Sequence, residues 1–195
     1  MPELASNRRR KRADAERSIT AVLDAAVVVL GERPHASIED VAKAAGVTRQ
    51  TVYAHFPSRN ALLGAVTDRA LTETLAAIDE AEIDRGPAGE ALDRLVDASW
   101  QTLERYPLLM DLRAPLAAEE ELALHRPILE RLERLVKRGQ RAGEFELRLP
   151  PTWLLASFLA LAHTAAEEVR AGRMSAEEAA IALKSSVARV FATSG

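Results

Sequence analysis

Apolar positions recur through most of this chain at intervals of three and four, the period of a helix with one buried face. The first such stretch, about 14–31, carries Ile19, Leu23, Ala26, Val27 and Leu30 and is stopped by Gly31 and Pro34. A short helix over about 38–45 follows, with Ile38, Val41, Ala42 and Ala45 as its stripe. Ser37 stands at its N-cap and Asp40 three positions on, a capping-box spacing. Gly46 interrupts the pattern, and Val47 supplies an apolar plug for the turn. Thr48 caps a third helix over about 48–55, which turns Val52 and Phe56 inward. Pro57 closes this unit.

Ser58 then caps a longer helix over about 58–83, with Leu63, Val66, Ala70 and Leu71 on one face. A turn at Gly86, Pro87 and Gly89 leads into a helix over 88–105 with Leu92, Leu95, Val96, Trp100 and Leu103 inside. Pro107 and Pro115 bracket a short irregular or helical piece. A charged amphipathic helix ending near Arg141 buries Leu129, Leu132, Leu135 and Val136, and Pro127 marks either its first turn or a kink. The last two helices are expected over about 151–171 and 175–193. The second has Ser175 and Glu178 as another capping box and Ala180, Leu183, Val187, Val190 and Phe191 as its stripe. Phe145 to Leu149 is the one weak strand candidate. The pattern predicts an all-α protein: a basic flexible arm over 1–13, a helix-turn-helix unit over 14–60 and a larger helical body over 61–195.

Charge is distributed unevenly. Residues 1–60 hold ten Lys/Arg against seven Asp/Glu, whereas residues 61–195 hold sixteen against twenty-two. The run Arg8, Arg9, Arg10, Lys11 and Arg12 dominates the positive end and suits phosphates or an anionic surface, or serves as a solvated tail. No apolar run follows it, so it does not read as a secretory signal. The stretch between Arg148 and Glu167 has no charge, but it includes Pro150, Pro151, Thr152, Ser157, His163 and Thr164. A membrane span needs about 20 predominantly apolar residues, so this stretch reads as a helix buried on several sides and not as a membrane anchor. The chain has no cysteine, which fits a reducing, cytoplasmic setting and excludes thiolate metal sites.

Two short helices joined at Gly46 have the spacing of a helix-turn-helix. The first braces the second, whose outward residues Thr48, Arg49, Gln50, Thr51, Tyr53 and His55 are polar or hydrogen-bonding and suit a DNA major groove. Residues 37–63, S-I-E-D-V-A-K-A-A-G-V-T-R-Q-T-V-Y-A-H-F-P-S-R-N-A-L-L, resemble the DNA-binding domain of the TetR family of transcription regulators. Ala45, Gly46, Val47, Thr48, Thr51, Val52, Tyr53, His55, Phe56, Ser58, Arg59 and Leu62 carry the resemblance. Including the first helix, it covers about 50 residues; the remainder matches only in helical layout.

The resemblance implies roles by position. Tyr53, Arg59 and Ser37 stand where the family contacts backbone phosphates, and Thr48, Arg49, Gln50 and Thr51 where it meets base edges. Gln50 departs from a position that is often small, and Asn60 replaces a usual acid at a helix start. Each assignment has a structural rival. Tyr53 also fits a core-edge aromatic, His55 a packed histidine, Arg49 a solvated charge, Ser37 a plain cap and Arg59 a structural arginine.

In the body, the run Trp153 to Ala162 is too continuous for a helix with one wet face, and the last helix adds a long stripe. Pairing both with a second copy would cover them, giving a homodimer that sets two reading helices about 34–36 Å apart, or a multiple of that, on a palindromic operator in double-stranded DNA. The family resemblance implies a repressor released from DNA by a small-molecule effector; an activator of the same fold is the alternative, and a helical protein-interaction module a remoter one. Trp100, Leu103, Met110, Phe158 and His163 are pocket candidates, and each also fits plain core. No cofactor, metal or catalytic group is expected. His163 and Glu167 are too few for a metal, there is no H-E-x-x-H arrangement, and no glycine-rich phosphate loop is present.

Overall fold

The computed structural model describes the backbone of residues 2–106 and 118–193 and the side chains of residues 13–106 and 123–193. Among them lie eight α-helices: α1 (Pro2–Glu32), α2 (Ile38–Ala44), α3 (Arg49–His55), α4 (Arg59–Glu80), α5 (Ala88–Arg105), α6 (Ala118–Ala142), α7 (Pro151–Arg170) and α8 (Ala176–Phe191). The all-α expectation holds. No helix among the described residues is long and apolar enough to cross a membrane. Met110, Pro107 and Pro115 lie outside the described residues. The first helix extends N-terminal to its expected start, through a segment rich in helix-favouring Ala, Arg and Lys.

The chain forms two compact units, and α4 runs from the first into the second, which begins at Leu71. In the first unit α1, α2 and α3 pack on one another around Val22, Ala26, Leu30, Val41, Val52, Leu62 and Val66. Two stripes are rotated from their expected positions. On α1 the buried residues are Val22, Ala26, Val29 and Leu30, while Ile19, Leu23 and Val27 are half-buried. On α4 Leu62, and not Leu63, begins a line that continues through Val66, Ala70, Thr74 and Ile78, with Leu71 half-buried. In both places adjacent apolar residues let two rotations satisfy the same spacing, and packing selects one.

The second unit buries Leu92, Leu95, Val96 and Trp100 of α5 against Leu132, Leu135 and Val136 of α6, Leu154 and Phe158 of α7, and Leu183, Val187 and Phe191 of α8. Polar side chains satisfy the helix ends. Glu144 accepts from the Ala88 and Gly89 amides at the start of α5, at 2.5 and 3.4 Å. Ser175 and Glu178 form the expected reciprocal cap on α8. Arg94 donates to the carbonyls of Ala81, Glu82 and Arg85, and Arg138 to those of Ile83 and Gly86, so two guanidinium groups serve the whole α4–α5 turn.

The Phe145–Leu149 segment is not a strand. Only Phe145 forms a bridge, to Ala192 just past α8, because no extended neighbour continues the ladder. Pro127 lies inside α6, which already begins at Ala118, so its first-turn reading is corrected.

Candidate nucleic-acid interface

The turn between α2 and α3 is built by its backbone. Val47 donates to the Ala42 carbonyl at 3.0 Å and Gly46 to that of Lys43 at 3.2 Å. These two bonds form a Schellman motif, which needs a left-handed residue at its centre. Gly46 provides it at φ 67°. The next residue but one, Thr48, is extended, and its hydroxyl accepts from the Thr51 amide at 3.1 Å. The Thr48 and Thr51 hydroxyls also pair at 2.8 Å. Val52 and Phe56 are buried, so the inner face of α3 is held down and its orientation set.

The other face is open. Thr48, Arg49, Gln50 and Tyr53 are exposed, and Thr51 and His55 half-buried. Arg49 lies over the Tyr53 ring, 5.4 Å from its centroid, one turn along the same helix. A cation held against an aromatic face loses less freedom when it meets a partner. His55 stands edge-on to Phe56 with centroids 6.4 Å apart, which ties its ring to the core side. The predicted reading residues therefore share one surface, with His55 at its edge.

Ser37 forms the expected capping box. Its hydroxyl accepts from the Asp40 amide at 3.2 Å, and its own amide donates to Asp40 Oδ2 at 2.8 Å. The hydroxyl also donates to Oδ2 at 2.7 Å. These bonds hold the Asp40 carboxyl below its ordinary range. Arg59 is engaged by the loop before α2. Its guanidinium donates from Nη1 to the Ala36 carbonyl at 2.6 Å and from Nη2 to that of Pro34, and the residue is half-buried. The sequence named Arg59 but gave no sign of this reach across to the α1–α2 loop.

In the second unit, a groove of about 400 Å³ runs between α6 and α7, lined by Leu129, Thr152, Leu155, Ala156, Leu159, Ala160 and His163. Of the five pocket candidates, His163 lines it, its ring 5.2 Å from that of His125. Trp100 and Phe158 are buried in the core and Leu103 is half-buried. Periodicity locates the core well but cannot separate a groove wall from its neighbours on the same helix. Among the described residues no cluster of three His, Asp or Glu could hold a metal.

A short helix pinned beneath, polar above and joined to its support by a tight turn defines a helix-turn-helix DNA-binding protein. Residues 22–66 match the family model described as bacterial regulatory proteins, tetR family. The transcriptional repressor LfrR of Mycolicibacterium smegmatis is 34% identical over 159 residues, covering 80% of this chain and 82% of its own length. The crystal structure of LfrR in complex with proflavine superposes with a TM-score of 0.69 at 29% identity, over 92% of this chain and 99% of that one. A TetR-family regulator from Rhodococcus sp. shares the fold with a TM-score of 0.73 at 24% identity, covering 90% of this chain and 98% of its own. The chain belongs to the TetR family and is a DNA-binding transcription regulator, not an enzyme. The partners that go with this fold are DNA and a second subunit.

Proposed function

We propose that the protein is a repressor that occupies a palindromic operator as a homodimer and leaves it when a small molecule binds the body. The observation that carries this reading is the exposed row Thr48, Arg49, Gln50 and Tyr53 on a helix whose inner face is fixed by Val52 and Phe56. The resemblance implies a base-edge role for Arg49, but its exposed guanidinium, stacked on the Tyr53 ring, suits a phosphate; with Tyr53 and Ser37 it gives affinity, while Gln50, with Thr48, Thr51 and His55 around it, meets base edges, which give selectivity.

The second subunit covers a face of α7 and α8 that a single chain leaves open. Trp153 is 58% and Ile181 60% exposed, and Thr164, Ser185 and Ala188 continue the same two faces. Two such helix pairs make a four-helix contact with a two-fold axis. The effector site proposed is the α6–α7 groove, whose volume falls in the range of small-molecule pockets. Its walls suit an apolar ligand, with Thr152 and His163 as polar handles. That LfrR is named a repressor and has been crystallised with proflavine supports a ligand-released repressor here. Release requires the ligand to prefer the arrangement that does not fit DNA.

The test is selection of bound duplexes from a random library, then transcription in vitro from a promoter carrying the selected site. A palindromic consensus and blocked initiation are expected. Stimulated initiation would assign an activator, and the absence of any enriched sequence would remove the reading.

A further inference from the structure

Arg59 is the first residue of α4, where the free amides of a helix start carry partial positive charge. A cation is electrostatically misplaced there, and no acidic residue in the first turn of α4 offsets it. The side chain turns away from the helix end toward the α1–α2 loop. Its two terminal nitrogens reach the carbonyls of Pro34 and Ala36, residues remote in sequence.

The Ala36 carbonyl belongs to the same peptide plane as the Ser37 amide. Arg59 holds the oxygen of that plane, at 2.6 Å, while Asp40 Oδ2 holds its N–H at 2.8 Å. A peptide group gripped on both edges cannot rotate without losing a charge-assisted bond. This plane immediately precedes α2, so its orientation sets where the Ser37 hydroxyl stands and how α2 enters. The turn bond from Val47 to Ala42 then passes that placement on to α3.

We infer that Arg59 is a positioning residue for DNA binding: it locks the Ala36–Ser37 peptide, and through it the reading surface, instead of neutralising a phosphate. The inference rests on the DNA-binding reading, but it concerns how the surface is held. The fork is also specific for arginine. Two carbonyls on a loop match a planar guanidinium, whereas a lysine ammonium carries its donors on one atom and cannot span them in the same way.

The experiment compares the full-length wild type with Arg59→Ala, Arg59→Lys and the exposed-cation control Arg49→Ala. Affinity for a mixed-sequence duplex is followed against salt concentration, and amide hydrogen exchange is followed over residues 33–42. Removing a phosphate contact lowers the salt slope by about 0.9 per subunit. The expected result is that Arg49→Ala lowers the slope, whereas both Arg59 variants keep the wild-type slope, bind more weakly and lose protection at Ser37 and Asp40. Arg59→Lys conserves the charge and decides the matter if Arg59→Ala does not fold. A lower slope in Arg59→Ala, restored to wild type in Arg59→Lys with protection unchanged, would overturn the inference. If the wild type does not bind duplex DNA, the functional reading fails, and the exchange measurement still judges the lock.

Discussion

Arg131 of α6 grips Asp79 of α4 through two parallel bonds, Nε to Oδ1 and Nη2 to Oδ2, both 2.9 Å long. The Arg131 side chain lies largely under cover, at 21% exposure, while that of Asp79 is open to water, at 62%. The pair joins the last turn of α4 to a helix that also lines the groove through Leu129. A movement of α6 at the groove therefore has a short, two-pronged connection to α4.

This pair makes a pH prediction. The Arg131 hydrogen bond and charge hold the Asp79 carboxyl below its ordinary value of 3.8. A depressed folded-state value stabilises the protein fully above the unfolded value and loses that contribution as pH falls through the folded one. Asp79→Asn should thus lower Tm by a constant amount near neutral pH, and the difference from wild type should shrink only below about pH 3.8. Because the carboxylate is exposed, the neutral-pH loss should be small. Thermal melts of both proteins between pH 7 and pH 2.5 check it; a difference that closes already near pH 6 would show that another group titrates.

Two glycine-to-alanine changes should both destabilise, for different reasons. At Gly46 an added Cβ meets nothing within 4 Å, and the cost is the left-handed backbone at φ 67°, about 1–2 kcal/mol. Gly139 lies in the last turn of α6, where alanine is still preferred inside the helix by up to about 1 kcal/mol. Its Cβ would fall 2.3 Å from the Phe145 ring, itself packed edge-on against Phe191. Overpacking of this kind costs about 1–3 kcal/mol. Denaturant titration should show Phe145→Leu partly relieving Gly139→Ala while adding independently to Gly46→Ala.

The legible parts of the molecule are those that local chemistry decides. Ser37 with Asp40, Gly46, and Thr48 before Thr51 each announce their geometry within a few residues, and the reading surface follows from them. The unread parts depend on residues far apart. Nothing near Arg59 points to the carbonyls of Pro34 and Ala36, and nothing near Gly139 points to Phe145. The rotation of α1 toward Val22 and Val29 is hidden in a run of consecutive apolar residues, where periodicity has no contrast. The groove is hidden likewise, because Leu155 and Leu159 line it while Leu154 and Phe158, their neighbours, fill the core.

Gln50 is exposed near the start of α3 and offers a donor and an acceptor on one amide. That pair fits adenine N6 and N7, and a good bidentate contact discriminates by about 1–3 kcal/mol. Gln50→Ala should relax sequence preference at one base pair in each half-site and leave mixed-sequence binding unchanged. Competition titrations with single-base operator variants measure this. Equal loss on specific and mixed DNA would assign Gln50 to the backbone instead.

Ile181 tests the subunit contact without touching the fold of one chain. At 60% exposure, a carboxylate at this position stays in water in a lone subunit. In a dimer closed by α7 and α8, the same carboxylate would be buried beside its symmetry mate, and an unpaired buried charge costs several kcal/mol. Ile181→Glu should therefore keep wild-type helicity by circular dichroism while sedimenting as a 21.2 kDa monomer. Its operator affinity should fall steeply, because the two reading helices no longer bind as one unit. A variant that sediments as the wild-type dimer would place the subunit contact on another face, and Trp153 would then need a different partner.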